Sequence, residues 1–318
     1  MRSRKSASLP KQSVSTTDSN LTLFAWNGVA FQVPKRWELS VNELVKGVSR
    51  IVLEDDFGPR LELDWTTPRS ASETERFRKR SLEYIKIIDE KSRSVTPLAA
   101  LPDEWTAHLY RMSDDSFLAT AYMVPPSSDA PFVFFRIHFT KGTPELPETC
   151  CRQILKSFSW KSQGLSPWAF YDIRFTLDRC FRLSSTSLLA GQKLLTFEWR
   201  LRRLFIWHFS LADYITRDAT PAGWCADFLN KFKLLPAPHW TAVDDTTLVA
   251  TRKKLYFLGQ FEEIGRLCYK YKAVCQPLPE QNMIRLIVFN YRKSSDLQKL
   301  QLDSPTCRPT TSKTAPPS

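Results

Sequence analysis

Short runs in which apolar and polar residues alternate dominate the chain, and this period of two predicts strands more often than helices. Leu21, Leu23 and Ala25 alternate with polar neighbours, Asn27-Gly28 follows, and Val29, Phe31 and Val33 alternate again. Asn-Gly between two such runs is the signal of a type I′ hairpin. Val48–Glu54 and Arg60–Trp65 form a second hairpin around Asp55–Pro59. Ser72–Glu90 is polar with Phe77, Leu82, Ile85 and Ile88 at helical spacing, and Ser72 or Thr74 serves as its N-cap. Trp105–Met112, Ser116–Val124 and Phe132–Phe139 read as three more strands. A helix over Glu145–Phe158 then places Leu146, Ile154 and Leu155 on an apolar side.

The same pattern returns 144 residues later. Residues 23–65 fall on 167–209 without a gap, with Ala25 on Ala169, Phe31 on Phe175, Leu39-Ser40 on Leu183-Ser184, Gly47 on Gly191 and Glu54 on Glu198. Apolar class persists at Val29/Ile173, Trp37/Phe181, Ile51/Leu195, Leu61/Phe205, Leu63/Trp207 and Trp65/Phe209. Shared alternation implies shared facing and register, and the period is too long for a solenoid unit. Copy two carries Tyr171-Asp172 where copy one has Asn27-Gly28, so its turn is expected to differ. A helix over Thr220–Leu235 with Pro221 near N1 follows, then strands near Leu255–Phe261, Ile264–Tyr271 and Met283–Tyr291, and a short closing helix near Ser295–Leu302.

Sequential antiparallel hairpins flanked by helices mean α+β. The expected fold is two tandem copies of an antiparallel-sheet domain flanked by helices, an α/β/α sandwich-like arrangement. Residues 1–20 form a disordered basic tail, 21–161 the first repeat, 162–304 the second, basic repeat, and 305–318 a second disordered tail. A length of 318 residues accommodates about two domains.

Phe31-Gln32-Val33-Pro34-Lys35-Arg36-Trp37 resembles the opening strand of PsbP-like and DcrB-like domains, and Ile154-Leu155-Lys156-Ser157-Phe158 resembles their final helix. The resemblance covers residues 24–160 and reaches 168–303 only through the repeat, where Asp178 and Phe181 replace Pro34 and Trp37. It implies an α/β/α sandwich and, since that superfamily includes photosystem assembly proteins and a Ran-GTPase regulator, a binding or assembly role. It carries over no functional residues.

Charge changes the picture of the second copy. The formal net charge is +12. Residues 1–164 hold 23 bases and 20 acids, and residues 165–318 hold 22 and 13, so the halves carry +3 and +9. A basic half suits an acidic protein partner, nucleic acid or an anionic surface. No run reaches the roughly 18–20 apolar residues of a membrane-spanning helix. Seven Cys without a regular framework suggest reduced thiols and a cytoplasmic setting.

Local catalytic and cofactor signals are missing: no Cys-x-x-Cys, His-Glu-x-x-His, phosphate-binding glycine loop or Gly-x-Ser-x-Gly. No cofactor, metal or catalytic residue is assigned, and an enzyme is the less favoured class. Asp55-Asp56, Asp114-Asp115, Asp244-Asp245 and Glu262-Glu263 mostly fall at turns, where carboxylates are solvated. Cys150 and Cys151 read as small buried hydrophobes. The candidate contact is the second hairpin tip of copy two, where Trp199, Arg200, Arg202 and Arg203 stand in place of the acidic turn Asp55–Pro59. Arginine forks bind phosphates and carboxylates, and Trp offers a stacking face. The tip is an anion or nucleic-acid contact, a docking element, or a solvated turn with Trp199 laid on the sheet. The leading functional expectation is a non-catalytic protein-interaction or assembly module. Nucleic-acid association through copy two is second, and an enzyme with a site between the copies is third. Oligomeric state is left open.

Overall fold

The computed structural model describes residues 20–161, 163–232, 238–252, 270–291 and 293–300. These fall into two compact units, the first made of residues 20–23 and 31–158, the second of 24–30 and 159–300. The fold is mixed α+β and rich in antiparallel sheet, with three sheets.

The chain begins with β1 (Leu21–Trp26), β2 (Val29–Pro34), β3 (Glu38–Val45), β4 (Val48–Asp55) and β5 (Gly58–Thr66). Helix α1 (Ala71–Lys91) is followed by β6 (Ser92–Pro97), β7 (Trp105–Met112), β8 (Phe117–Met123), β9 (Phe132–Phe139) and α2 (Pro147–Ser157). The first unit's sheet runs β3-β4-β5-β9-β8-β7-β6. Successive residues of β9 face opposite helices. Phe135 meets Phe158 at the end of α2 and Phe31 of β2, with centroids 5.8 and 5.3 Å apart, whereas Phe134 meets Tyr84 of α1 at 5.8 Å.

Residues 159–300 supply β10 (Ser159–Trp160), β11 (Leu165–Phe170), β12 (Ile173–Asp178), β13 (Arg182–Leu189), β14 (Gln192–Trp199) and β15 (Arg202–Ser210). The short α3 (Ala212–Ile215) and α4 (Pro221–Lys231) lead to β16 (Pro238–Ala242), β17 (Thr247–Arg252), β18 (Lys270–Leu278) and β19 (Met283–Tyr291). The sheet order β13-β14-β15-β19-β18-β17-β16 matches that of the first unit element for element. A five-stranded sheet has the order β10-β2-β1-β11-β12, and in the second unit Ala25 pairs with Ala169 and Val29 with Trp160.

Strand bounds repeat at the offset read from the sequence: β1 through β5 and β11 through β15 start and stop 144 residues apart. Both units also break register at the same place in β3 and β13, between Leu39 and Val41 and between Leu183 and Ser185. The last strand of each block does not keep the expected facing. In the first unit Glu54 pairs with Pro59 but Leu53 pairs with Leu61, so Arg60 is an extra, bulged residue. In the second unit the ladder is continuous, with Glu198 opposite Arg203 and Phe197 opposite Leu204. One extra residue turns every following side chain to the other face. Leu61, Leu63 and Trp65 therefore look toward α2, whereas their sequence counterparts Phe205, Trp207 and Phe209 pack on the α4 side with Ala222, Cys225 and Leu229. Preserved apolar class across this strand hid a change of face.

Several local expectations need correction. Ser70, not Ser72 or Thr74, caps α1, its Oγ accepting from the Glu73 amide at 3.3 Å. Ser81 and Ile88 are the buried residues of α1, and Leu82 is exposed. Leu146 precedes α2 and is exposed, and Cys150, Cys151, Ile154 and Leu155 form the buried side. Strands β3, β6, β13, β16 and β17 carry too little clean alternation to be read from sequence. The closing helix is a 3-10 segment, Ser294–Lys299. Asn27 and Gly28 have φ of +45° and +96°, as the type I′ turn requires, and a Cβ on Gly28 would lie 2.8 Å from the Arg179 guanidinium. Tyr171 adopts φ +48° as well, so the second turn opens like the first, with Lys193 Nζ 4.9 Å above the Tyr171 ring. The expected strand Leu255–Phe261, most of Ile264–Tyr271, and the tails lie outside the described residues.

Trp207 is fully buried among Phe205, Phe228 and Phe232. Removing a large core side chain costs ~3–5 kcal/mol, and exposed substitutions cost within about 0.5 kcal/mol. Trp207→Ala is expected to lower stability by that larger amount in urea denaturation, with Leu201→Ala, at a 73% exposed site, close to wild type.

Candidate functional site

The arginine tip is the β14–β15 turn. Arg200 takes φ +55° and is exposed, and Leu201 beside it is 73% exposed. Arg202 does not project freely. Its Nε lies 2.7 Å and its second terminal nitrogen 3.0 Å from the two oxygens of Asp296, and its guanidinium sits 4.7 Å over the Trp199 ring. Trp199 also meets Phe181 edge-on at 5.7 Å. Arg203 donates through Nε to Glu198 at 3.1 Å. The three arginines thus divide into one exposed at the turn, one clamped by a buried carboxylate, and one paired at the surface. Sequence spacing could not supply Asp296, which lies 94 residues away.

The acidic turn of the first unit differs from its expected solvated form. The Asp55 side chain is buried and accepts from Arg60 Nε at 2.8 Å and from the Phe57 amide at 3.0 Å, with Arg36 Nε at 3.4 Å. Arg60 also donates to Thr140 Oγ1 at 3.0 Å. Asp114 and Asp244 sit at exposed turns and cap them, accepting from Ser116 and from Thr246 and Thr247. Glu262-Glu263 lies outside the described residues.

The sequence did not point to the pocket of the first unit. A cavity of about 500 Å³ opens between α1 and the sheet face bearing Arg50, Asp64, Phe134 and Arg136. At its far end α1 is anchored to the sheet, where Tyr84, Ile85 and Ile88 pack with Tyr110 and Leu118. Near its start α1 offers Phe77, Ser81, Arg76 and Arg80 instead. Five cations line the cavity: Lys46, Arg50, Arg76, Arg80 and Arg136. Two carboxylates, Glu43 and Asp64, stand against them. Phe77 and Phe132 stack at 6.2 Å on one wall.

Beneath it runs a charge ladder. Arg136 reaches Asp64 at 2.7 Å and Glu62 at 3.2 Å, and lies over Tyr84 at 5.2 Å and Phe134 at 5.7 Å. Glu62 also takes Arg50 at 2.7 Å and His138 Nε2 at 3.0 Å. These contacts hold Glu62 down at about 2. The His138 hydrogen bond is the largest cause and burial opposes it, while the charges of Arg136 and His138 and a hydrogen bond from Arg50 add to the lowering. Burial under α1 pushes the Asp64 carboxyl up.

The second unit holds a different buried pair. Arg285 Nε donates to His208 Nε2 at 3.0 Å, and its terminal nitrogen donates to the Arg174 carbonyl at 2.7 Å. Burial, joined by the Arg285 charge, pushes His208 well down, and burial lowers Arg285 to about 10. Cys225 and Cys275 face each other in the core with sulfurs 3.6 Å apart. Burial raises Cys150 to about 12, so it is a protonated, unreactive thiol at neutral pH. Trp26, Trp37, Trp65, Trp105 and Trp207 are all buried. Among the described residues no group of three or more His, Cys, Asp and Glu is placed to hold a metal, and no helix is long and apolar enough to cross a membrane.

No protein-family model matches the chain, and no curated protein sequence matches it. Among solved structures the chain matches the Saccharomyces cerevisiae Ran-binding protein Mog1p at 10% identity and a TM-score of 0.27, over 44% of this chain and 95% of that one. A likeness at that level establishes neither fold nor function for this chain.

A carboxyl held below its unfolded value contributes stability that is complete above that value and is lost as pH falls through the folded one. For Glu62 the window runs from about 4.5 down to about 2. Glu62→Gln is expected to lower stability at neutral pH and to flatten its decline across that window, read by urea midpoints at successive pH values. An unchanged acid slope would show that the ladder does not hold Glu62 in its charged form.

Proposed function

We propose that this chain is a non-catalytic protein-interaction or assembly module built from two copies of one PsbP-like domain. The shared strand order and the 144-residue offset of ten strand bounds support the duplication. The observation that carries the binding role is the β14–β15 tip. Leu201 presents a large apolar side chain at 73% exposure next to the exposed Arg200, on a turn braced by Asp296, Arg202 and Trp199. A braced tip loses little conformational freedom on binding, and this favours its use as a docking element. The partner is a protein surface with an apolar recess bordered by carboxylates, and the +9 of residues 165–318 favours its approach.

Nucleic-acid association through the second repeat is the runner-up. Arg200 and the charge of that half favour it. The commitment of Arg202 to Asp296 and of Arg203 to Glu198 weighs against it, because each would have to leave a carboxylate to meet a phosphate. Lys253, Lys254 and Arg292 lie outside the described residues.

The test compares the full chain with an Arg200→Glu/Leu201→Asp variant. Immobilised protein is exposed to extract, and retained proteins are quantified by mass spectrometry, while labelled single- and double-stranded DNA is titrated across a salt series. The proposal expects a defined protein set reduced at least fivefold by the variant, with DNA binding no tighter than that of an unrelated basic protein. An identical retained set removes the tip from the interface. Micromolar DNA binding with a steep salt slope that the variant flattens replaces the proposal with the runner-up.

A further inference from the structure

The two seven-stranded sheets put one row of side chains to opposite uses. In the second unit the cross-strand row under α4 is Leu194, Trp207 and Leu286, closed over by Phe228 and Phe232. The row at the same place in the first unit is Arg50, Asp64 and Phe134, and the next row pairs Glu62 with Arg136. This topology thus accommodates a dry, filled interface between helix and sheet, and the first unit instead keeps charged groups and about 500 Å³ of space there. Placing ionised groups under a helix is unfavourable unless partners or a ligand compensate.

Compensation within the chain is incomplete. Glu62, which pairs with Arg50 and Arg136, brings the carboxylates to three against the five lining cations. Arg76 leans to Glu73 of its own helix at 3.9 Å. Arg80 and Lys46 have no ion pair or hydrogen bond among the described residues, and both are exposed at the cavity. The apolar wall is Phe77, half-buried and stacked on the buried Phe132, with Tyr84 beside it under Arg136. A volume of this size suits a small organic molecule, and such sites combine apolar walls with a few placed charges.

We propose that this cavity binds a small aromatic anion, a planar ring carrying a phosphate, carboxylate or sulfonate. The ring lies against the Phe77–Phe132 wall, and the anionic group meets Arg80 and Lys46. Aromatic stacking and cation contacts each strengthen where water is displaced. This site is independent of the hairpin tip and stands whether or not the tip binds a protein.

The test titrates 8-anilinonaphthalene-1-sulfonate into the full chain and follows its fluorescence, then displaces it with phenyl phosphate, phenol or inorganic phosphate. Arg80→Glu and Lys46→Glu probe the site. Arg78→Glu makes the same charge change on α1 at a residue that does not line the cavity. Circular dichroism confirms that each variant is folded. The proposal expects saturable binding, displacement by phenyl phosphate well below the concentrations needed with phenol or inorganic phosphate, and at least tenfold weaker binding in Arg80→Glu and Lys46→Glu but not in Arg78→Glu. Absence of saturable binding overturns it, as does equal binding by all three variants. Displacement by inorganic phosphate as effective as by phenyl phosphate removes the aromatic part and overturns the ligand class.

Discussion

The bulge at Arg60 governs the character of the first unit. Arg60 has no partner in the β4–β5 ladder, yet it is buried, with Nε on Asp55 and a terminal nitrogen on Thr140. A buried guanidinium is tolerated only when paired, so Asp55 fixes the extra residue in place. Every residue of β5 after it is thereby turned over. Leu61, Leu63 and Trp65 enter the α2 side, and Glu62 and Asp64 face α1. Without the extra residue, as in β15, the α1 side would receive the apolar set. The charge ladder and the cavity both follow from this one register choice.

The same comparison explains why the sheet is built differently on its two sides. The α2 side of the first unit is an aromatic core of Phe31, Phe135, Phe158 and Trp105, with neighbouring centroids 5.3 to 6.4 Å apart. That side supplies the burial a domain of this size needs. The α1 side can then stay polar and partly hollow, since α1 is anchored through the smaller cluster around Ile88, Tyr110 and Leu118. In the second unit the balance differs. The large aromatic cluster lies under α4, and the opposite face carries the buried Arg285–His208 pair against Phe175.

Much of the strand pattern was legible because alternation is a local property. Trp105–Met112, Phe132–Phe139 and Met283–Tyr291 were read with their final bounds, and Asn27-Gly28 announced its turn. Strands β3 and β13 were not legible: their burial is irregular and a break in register interrupts their period. The facing of β5 is hidden in the sequence for a deeper reason. Leu61, Leu63 and Trp65 match Phe205, Trp207 and Phe209 in class, and an ungapped alignment has no means to register one unpaired residue beside a turn. At the arginine tip, composition named the right residues but not their state, because Asp296 is distant in sequence. The cavity was not legible at all. Its cations come from β3–β4, α1 and β9, and no short window contains more than a few of them.

Average charge is also a poor guide to where anions are held. The first half is neutral once its N-terminal segment is set aside, and the second carries +9, which by itself points to the second as the anion-binding half. Electrostatic recognition depends on which charges lack partners and how enclosed they are, more than on a sum over a hundred residues. At the tip of the second unit two of three arginines already face carboxylates. In the first unit Arg80 and Lys46 have no ion pair or hydrogen bond among the described residues, and they stand beside a cavity whose floor is occupied by mutually compensated charge. A chain segment with no net charge can therefore hold the better anion site, provided that a register shift collects its cations on one face and leaves room above them.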